Sequence, residues 1–208
     1  MLLPLEQTQK LLAKYQIPLV DTAVIKNKKQ GVDFAKKQGW PVVLKIDFEE
    51  LEHRTELGLV KTNIQNPASL EKALKELQAD FPQGRALIQR TAQGVEMFCG
   101  LKQDPVFGPF LLFGVGGIFV EVLKDVSFAI APISKTQAQA MLAKLKGYSL
   151  FKGYRGKDPL YVQRVVDILL GLSLLSQQEK QVKEVNINPL FVAEKEVVAA
   201  DVKIIVWK

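Results

Sequence analysis

The chain has 208 residues, of which 48% are hydrophobic and 24% charged, and its single cysteine excludes an intramolecular disulfide. No apolar run approaches the roughly 20 residues that span a membrane. The net charge of +6 comes from Lys and Arg mixed with acids along the chain, so we expect no nucleic-acid partner. The N-terminus is apolar only for its first few residues, which argues against a signal peptide and predicts a cytoplasmic protein.

Hydrophobic periodicity and the positions of Gly and Pro predict the elements in chain order. The first part of the chain is predicted to contain helices at 4–15, 28–38 and 67–79 and strands at 19–25, 41–46 and 57–64. The second part is predicted to contain strands at 85–90, 95–102, 110–113, 182–186, 189–192 and 197–206 and helices at 134–146 and 158–176. Because helices and strands do not strictly alternate, the class is α+β (α/β) with two lobes.

A change of composition near residues 83–85 predicts where the lobes divide. The N-terminal lobe would then comprise residues 1–84, including the first helix. The C-terminal lobe would comprise residues 85–208 and end in a hairpin.

Two residues near the N-terminal strands are candidates for phosphate chemistry. Lys45 ends an apolar strand, where it could bind nucleotide phosphates as a point charge or simply reach solvent. His53, the only histidine, lies among charged residues, a setting that suits either a surface imidazole or one that attacks a phosphoryl group.

A glycine run at residues 113–121 allows two interpretations. Gly116 and Gly117 could let the backbone approach a phosphate closely, because glycine has no side chain to clash. The same glycines could serve a tight turn with close packing. The run lacks the lysine of a P-loop and the spacing of a dinucleotide-binding fingerprint.

The C-terminal residues predict a metal-binding hairpin. If its turn is centred near Glu194 and Lys195, residues whose numbers sum to 389 pair across it, which places Asn188 opposite Asp201. Asn186 then lies on the same face as Asn188. Amide and carboxylate oxygens are suitable Mg²⁺ ligands, and a polar pair on an outer face is the alternative.

Nine motifs follow one another in an order that resembles the β subunit, or ATP-grasp domain, of ADP-forming acetyl-CoA synthetases, which are related to succinyl-CoA synthetase. The resemblance runs from about residue 5 to residue 206. The motifs are 41–45 (PVVLK), 53–58 (HRTELG), 89–96 (QRTAQGVE), 104–109 (DPVFGP), 113–121 (FGVGGIFVE), 124–127 (KDVS), 131–132 (AP), 153–156 (GYRG) and 186–190 (NINPL).

The resemblance implies an ATP-grasp fold whose two lobes enclose a nucleotide cleft, and an acid-thiol ligase that uses ATP/ADP and Mg²⁺. The reaction would be acyl-CoA + ADP + phosphate ⇌ acid + CoA + ATP, with the phosphoryl group passing between a phosphohistidine and ADP. The site residues that it implies are His53 as a relay, Lys45 on the phosphates, Glu96 on the ribose, Gln89, Thr91 and Ala92 in the adenine-binding segment, Gly116 and Gly117 beside the phosphates, and Asn188 and Asp201 on the metal.

The resemblance also implies a partner. The chain contains no CoA-binding domain, so we expect a separate α subunit that carries the other phosphohistidine, binds acyl-CoA and phosphate, and forms an α2β2 assembly.

Three departures from the family pattern favour an alternative, a drifted ATP-grasp module that binds or senses a nucleotide without phosphoryl transfer. Asn186 replaces the usual acid, Leu59 a glycine, and Ala129 a common arginine.

Overall fold

A computed structural model describes residues 1–47, 59–117, 125–153 and 158–207. Within these ranges the helices are α1 (Leu5–Lys14), α2 (Lys28–Gln38), α3 (Pro67–Asp80), α4 (Lys135–Ala143) and α5 (Val162–Gln178), with a 3-10 helix at Lys146–Lys152. The strands are β1 (Thr22–Val24), β2 (Val42–Asp47), β3 (Val60–Ile64), β4 (Arg85–Arg90), β5 (Val95–Asp104), β6 (Gly108–Val115), β7 (Val126–Ile130), β8 (Val182–Val192), β9 (Val197–Ala199) and β10 (Val202–Val206). None of the described helices is long and apolar enough to cross a bilayer.

The chain divides into two compact units, and the smaller comprises Val20–Ala92. Its antiparallel sheet has the strand order β1-β4-β2-β3, and side chains of α2 and α3 share a core with one face of that sheet. Asn27 and Asn66 cap α2 and α3 through their side-chain oxygens, which explains where both helices begin. Alternate residues of β2, including Leu44 and Ile46, enter this core and are fully buried.

The larger unit combines Met1–Leu19 with Gln93–Lys208. Its antiparallel sheet has the order β10-β8-β5-β6-β7, and β9 pairs with β8 beside β10. Helices α1, α4 and α5 pack on one face, because the odd-numbered residues of β5 and β6, such as Met97 and Phe113, point into the core with them. We call the opposite face of this sheet, from which residues such as Phe98 and Lys102 project, the open face.

The observed units differ from the predicted lobes of residues 1–84 and 85–208. Strand β4 pairs with both β1 and β2, so the smaller unit continues to Ala92 rather than ending at residue 84. The first helix belongs to the larger unit, whose core includes Leu12 and Tyr15. Both differences arise from contacts between residues far apart in sequence, which composition does not record.

A polar cluster fixes the first helix to the end of α5. Glu179 lies 2.6 Å from the Lys14 ammonium and 2.8 Å from the Tyr15 hydroxyl. The hydrogen bonds from Lys14, Tyr15 and Gln181 lower the pKa of Glu179 to about 2. A group whose folded-state pKa is depressed stabilises the fold above its unfolded pKa, near 4.3, and this contribution is lost as the pH falls toward about 2.

Asp125 connects the start of β7 to the 3-10 helix. Its two carboxylate oxygens accept hydrogen bonds from the backbone N–H groups of Lys146 (2.8 Å) and Gly147 (2.7 Å), and the residue is 8% exposed. The N–H groups at the start of a helix have no partner within the helix, so this carboxylate satisfies two of them.

We expect Asp125→Ala to lower the free energy of unfolding by about 2–3 kcal/mol, because it removes two charge-assisted hydrogen bonds and leaves buried donors unpaired. Asp125→Asn keeps one acceptor oxygen and should cost roughly half as much. Urea denaturation of the three proteins measures the difference. Equal stability of Asp125→Ala and the unchanged chain would show that the capping contact contributes nothing.

Candidate functional site

Lys45 lies on the face of the smaller sheet that points away from its helices. It sits opposite Leu87 on β4 and Val60 on β3, and only 8% of the residue is exposed. Core residues Leu44 and Ile46 flank it in sequence, so the period of two along a strand directs Lys45 to the other face. Lys45 is therefore buried on that face of the sheet.

Gln89 projects from the same face of the smaller sheet as Lys45. Its partner on β2 is Val43, two residues before Lys45, and its side-chain amide donates to the Thr22 hydroxyl at 2.9 Å. The residue is 5% exposed. The rigid placement of Gln89 positions the start of the predicted adenine-binding segment.

The rest of that segment continues to the end of the smaller unit. The Thr91 hydroxyl donates to the carbonyl oxygen of Pro41 at 2.8 Å, and Ala92 is the last residue of the unit. Residues 89–92 are thus held by side-chain hydrogen bonds immediately before the chain enters the larger unit.

Glu96, Gly116 and Gly117 lie together in the larger unit. The Gly116 N–H donates to the Glu96 carbonyl oxygen at 2.7 Å, and a Cβ at Gly116 would lie 2.8 Å from that oxygen. Gly117 has φ of +75°, and a Cβ there would lie 3.4 Å from Oε2 of Glu96. Close packing of β5 on β6 therefore explains Gly116, whereas the left-handed backbone explains Gly117.

A third glycine of the run, Gly114, lies under the ring of Phe98 on the open face. A Cβ at Gly114 would lie 2.6 Å from Cζ of Phe98, so the absence of a side chain lets this ring lie across β6. The close contacts at Gly114 and Gly116 are those expected if these glycines serve close packing of the strands.

The C-terminal hairpin has the register that the sequence predicts. Leu190 pairs with Ala199 and Val192 with Val197, and the same sum of 389 continues at Ile187–Val202. Asn188 lies opposite Asp201, where its N–H donates to the Asp201 carbonyl oxygen at 3.1 Å. Strand β8 is one continuous strand rather than two runs, and the third predicted run is divided into β9 and β10.

A groove on the open face runs beside the two asparagines. It has a volume of about 260 Å³, and its lining includes Phe98, Leu112, Asn186 and Asn188. Both asparagines are exposed, since Val185 and Ile187 take the buried positions of β8.

The same register places Lys203 directly opposite Asn186. Our reasoning from sequence did not identify Lys203, although 186 and 203 also sum to 389. The ammonium group of Lys203 therefore belongs to the surroundings of the candidate metal site.

The donor set at the hairpin fits Mg²⁺ bound together with a nucleotide. Such ions commonly use one or two carboxylates, with phosphate oxygens and waters completing the octahedron. Asp201 has a carboxylate and Asn188 an exposed amide oxygen that could hold such an ion. Within the described ranges, no group of three or more His, Cys, Asp and Glu side chains is placed to hold a metal ion.

The three departures occupy different environments. Leu59 is fully buried in the core of the smaller unit, and its carbonyl oxygen accepts from the Ile46 N–H at 2.9 Å. Ala129, on β7 opposite Leu111, packs against the core of the larger unit. Of the three, Asn186 alone lies on the open face beside the candidate metal residues. His53 lies outside the described residues.

Comparison with known proteins gives the family. The ATP-grasp domain family matches residues 1–206. The β subunit of acetate–CoA ligase [ADP-forming] I of Pyrococcus furiosus is 34% identical over 207 residues, which cover 96% of this chain and 89% of that protein. The 4-hydroxybutyrate–CoA ligase [ADP-forming] of Nitrosopumilus maritimus is 35% identical over 91% of this chain, but the match spans only 28% of that longer protein.

A solved structure shows the same fold. Acetyl-coenzyme A synthetase 1 of Ca. Korarchaeum cryptofilum, in complex with coenzyme A and Mg-AMPPCP, superposes with a TM-score of 0.85 at 31% identity. The match covers 99% of this chain and 93% of the other, and that structure has a phosphohistidine segment pointing towards its nucleotide-binding site. This chain therefore belongs to the ATP-grasp family, among the β subunits of the ADP-forming acetyl-CoA synthetases.

Proposed function

We propose that the protein is the nucleotide-binding subunit of an ADP-forming acyl-CoA synthetase. The observation that carries the proposal is the opposition of Asn188 and Asp201 across the hairpin, where an amide and a carboxylate can share one Mg²⁺. The relatives named as ADP-forming ligases, and the Mg-AMPPCP held by the Ca. Korarchaeum cryptofilum enzyme, support the same function.

The chemistry assigned to this subunit is one phosphoryl transfer. A phosphohistidine loses its phosphoryl group, the N–P bond breaks, and a β-phosphate oxygen of ADP forms the new P–O bond of ATP. The buried Lys45 ammonium binds and orients the phosphates, and Glu96 accepts hydrogen bonds from the ribose hydroxyls. Mg²⁺, when bound at Asn188 and Asp201, would offset the negative charge that the phosphates carry.

The partner and the assembly are part of the proposal. A CoA-binding α subunit would bind acyl-CoA and phosphate and carry the first phosphohistidine, from which His53 would relay the phosphoryl group to ADP. A β-subunit relative matched over 89% of its length supports a separate partner polypeptide. We include an α2β2 assembly and a cytoplasmic location in the same proposal.

The alternative, a module that binds a nucleotide without transferring phosphate, has one specific observation in its favour. Asn186 leaves an uncharged amide, opposite Lys203, at the position beside Asn188 where the family has an acid. This arrangement reduces the negative charge available to Mg²⁺, so the measured Mg²⁺ requirement bears on both functions.

Lys45→Met should weaken the binding of Mg·ADP about tenfold to a hundredfold, as expected for the loss of a charge-assisted contact with phosphate. Methionine retains much of the buried volume. Lys72→Met is the matched control, because the Lys72 side chain is 81% exposed on α3. Isothermal titration calorimetry measures the three affinities, and an unchanged affinity of Lys45→Met would remove Lys45 from the site.

Charge at the hairpin should set the Mg²⁺ requirement of ADP binding. We expect Asp201→Asn to raise the Mg²⁺ concentration for half-maximal ADP binding, and Asn186→Asp to lower it, each by roughly tenfold for one added or removed charge at contact distance. Asp33→Asn, an exposed change on α2, is the control. Titration with Mg²⁺ at fixed ADP measures the effect, and a requirement that follows neither substitution would place the metal elsewhere.

His53 is tested by turnover rather than by binding. The chain is mixed with the CoA-binding subunit encoded in the same genome, acetyl-CoA, ADP and phosphate, and ATP formation is followed. We expect His53→Ala to abolish ATP formation while Mg·ADP binding stays unchanged, because the relay is a covalent step. Full turnover by His53→Ala would exclude the relay, and no turnover by the unchanged chain with intact nucleotide binding would favour the non-catalytic module.

A further inference from the structure

Part of the open face is apolar and exposed, which is unusual for a sheet surface that contacts water. Val126, Phe128 and Ile130 on β7 are 43%, 71% and 56% exposed. Single exposed apolar residues are common, but a contiguous exposed group of this kind marks an interaction surface.

The register shows that this group is contiguous. Phe110 pairs with Ile130 and Leu112 with Phe128 across β6 and β7, and opposed side chains in such pairs have Cβ atoms about 5 Å apart. Phe98 lies over Gly114 and so extends the group onto β5. We call these six residues the apolar face: Phe98, Phe110, Leu112, Val126, Phe128 and Ile130.

The apolar face is continuous with the candidate metal site. Phe98 and Leu112 line the same 260 Å³ groove as Asn186 and Asn188. The other face of the sheet is filled by the core of the larger unit, so it offers no approach to these asparagines. A phosphoryl group that reaches a nucleotide at Asn188 must therefore arrive from the open face, to which the apolar face belongs.

We propose that the apolar face is the docking surface for the CoA-binding subunit that delivers the phosphoryl group. The inference rests on the proposed function, in which that group is carried by a second polypeptide. A carrier that reaches Asn188 along the groove must contact Phe98 and Leu112, and its body then covers β6 and β7. Aromatic residues are enriched in the buried centres of protein interfaces, and this face has three phenylalanines.

The lengths of the relatives also favour the CoA-binding subunit as the partner that covers the apolar face. The N. maritimus ligase devotes only 28% of its length to the part that this chain matches, so most of that enzyme is additional polypeptide in the same chain. Where the matched part is a separate β subunit, as in P. furiosus, a contact between subunits must replace the covalent connection.

The test is the binding of the separately produced CoA-binding subunit of the same genome to three forms of the chain, measured by biolayer interferometry. We expect Phe128→Glu to weaken binding about tenfold or more, because a charge would be desolvated in an apolar interface. Leu174→Glu is the matched control, since Leu174 is a 50% exposed apolar residue on α5, away from the sheet. Ile130→Lys is a second variant of the apolar face and should also weaken binding, which guards against a folding defect specific to Phe128→Glu.

Mg·ADP binding by each form of the chain alone separates the two proposals. If all forms bind Mg·ADP equally and the subunit binds Phe128→Glu and Ile130→Lys as tightly as the unchanged chain, the docking proposal is overturned and the proposed function stands. An unchanged chain that does not bind Mg·ADP overturns both. If light scattering shows that the chain alone forms a dimer that Phe128→Glu dissociates, a second copy occupies the face and the docking proposal is overturned.

Discussion

Strand β8 is paired on both of its edges, with β5 on one side and with β10 and β9 on the other. Val185 and Ile187 of this strand enter the core, so a shift of register by one residue would expose them and bury Asn186 and Asn188. The cost of burying two amides and exposing two large apolar side chains would be several kcal/mol. The packing of the core therefore fixes the side of the sheet on which the candidate metal residues lie.

The pairing of β8 within the hairpin could be predicted from the sequence. The turn at Glu194 and Lys195 is local, and a tight antiparallel turn fixes every later pair by arithmetic. The numbers of paired residues therefore sum to 389 from Val192–Val197 to Ile205–Glu184. The register shifts only at the end of β10, between Ile205 and Val206. The division of β9 from β10 at Asp201 was not predictable in this way, because the chain has no Gly or Pro at that point.

Other parts of the structure depend on contacts that no local pattern records. Strand β7 was not predicted, because its pattern is the reverse of the usual one. Its apolar residues are exposed (Val126, Phe128 and Ile130), whereas the polar Ser127 is buried. The division of the chain was predicted at residue 84 because composition changes there, yet β4 pairs with residues that precede it by 38 positions or more. Neither the side of the sheet to which Lys45 points nor its burial was predicted, because the sequence left open whether this lysine reaches solvent.

The candidate residues are distributed over both units, and each unit holds its share rigidly by its own contacts. Lys45 and Gln89 are fixed by the smaller sheet, whereas Glu96 and Asn188 are fixed by the larger one. Strand pairing therefore fixes the position of each candidate side chain within its own sheet. Since the apolar face and Asn188 belong to the same sheet, the strand pairing would set the distance between a subunit docked on that face and the candidate metal residues.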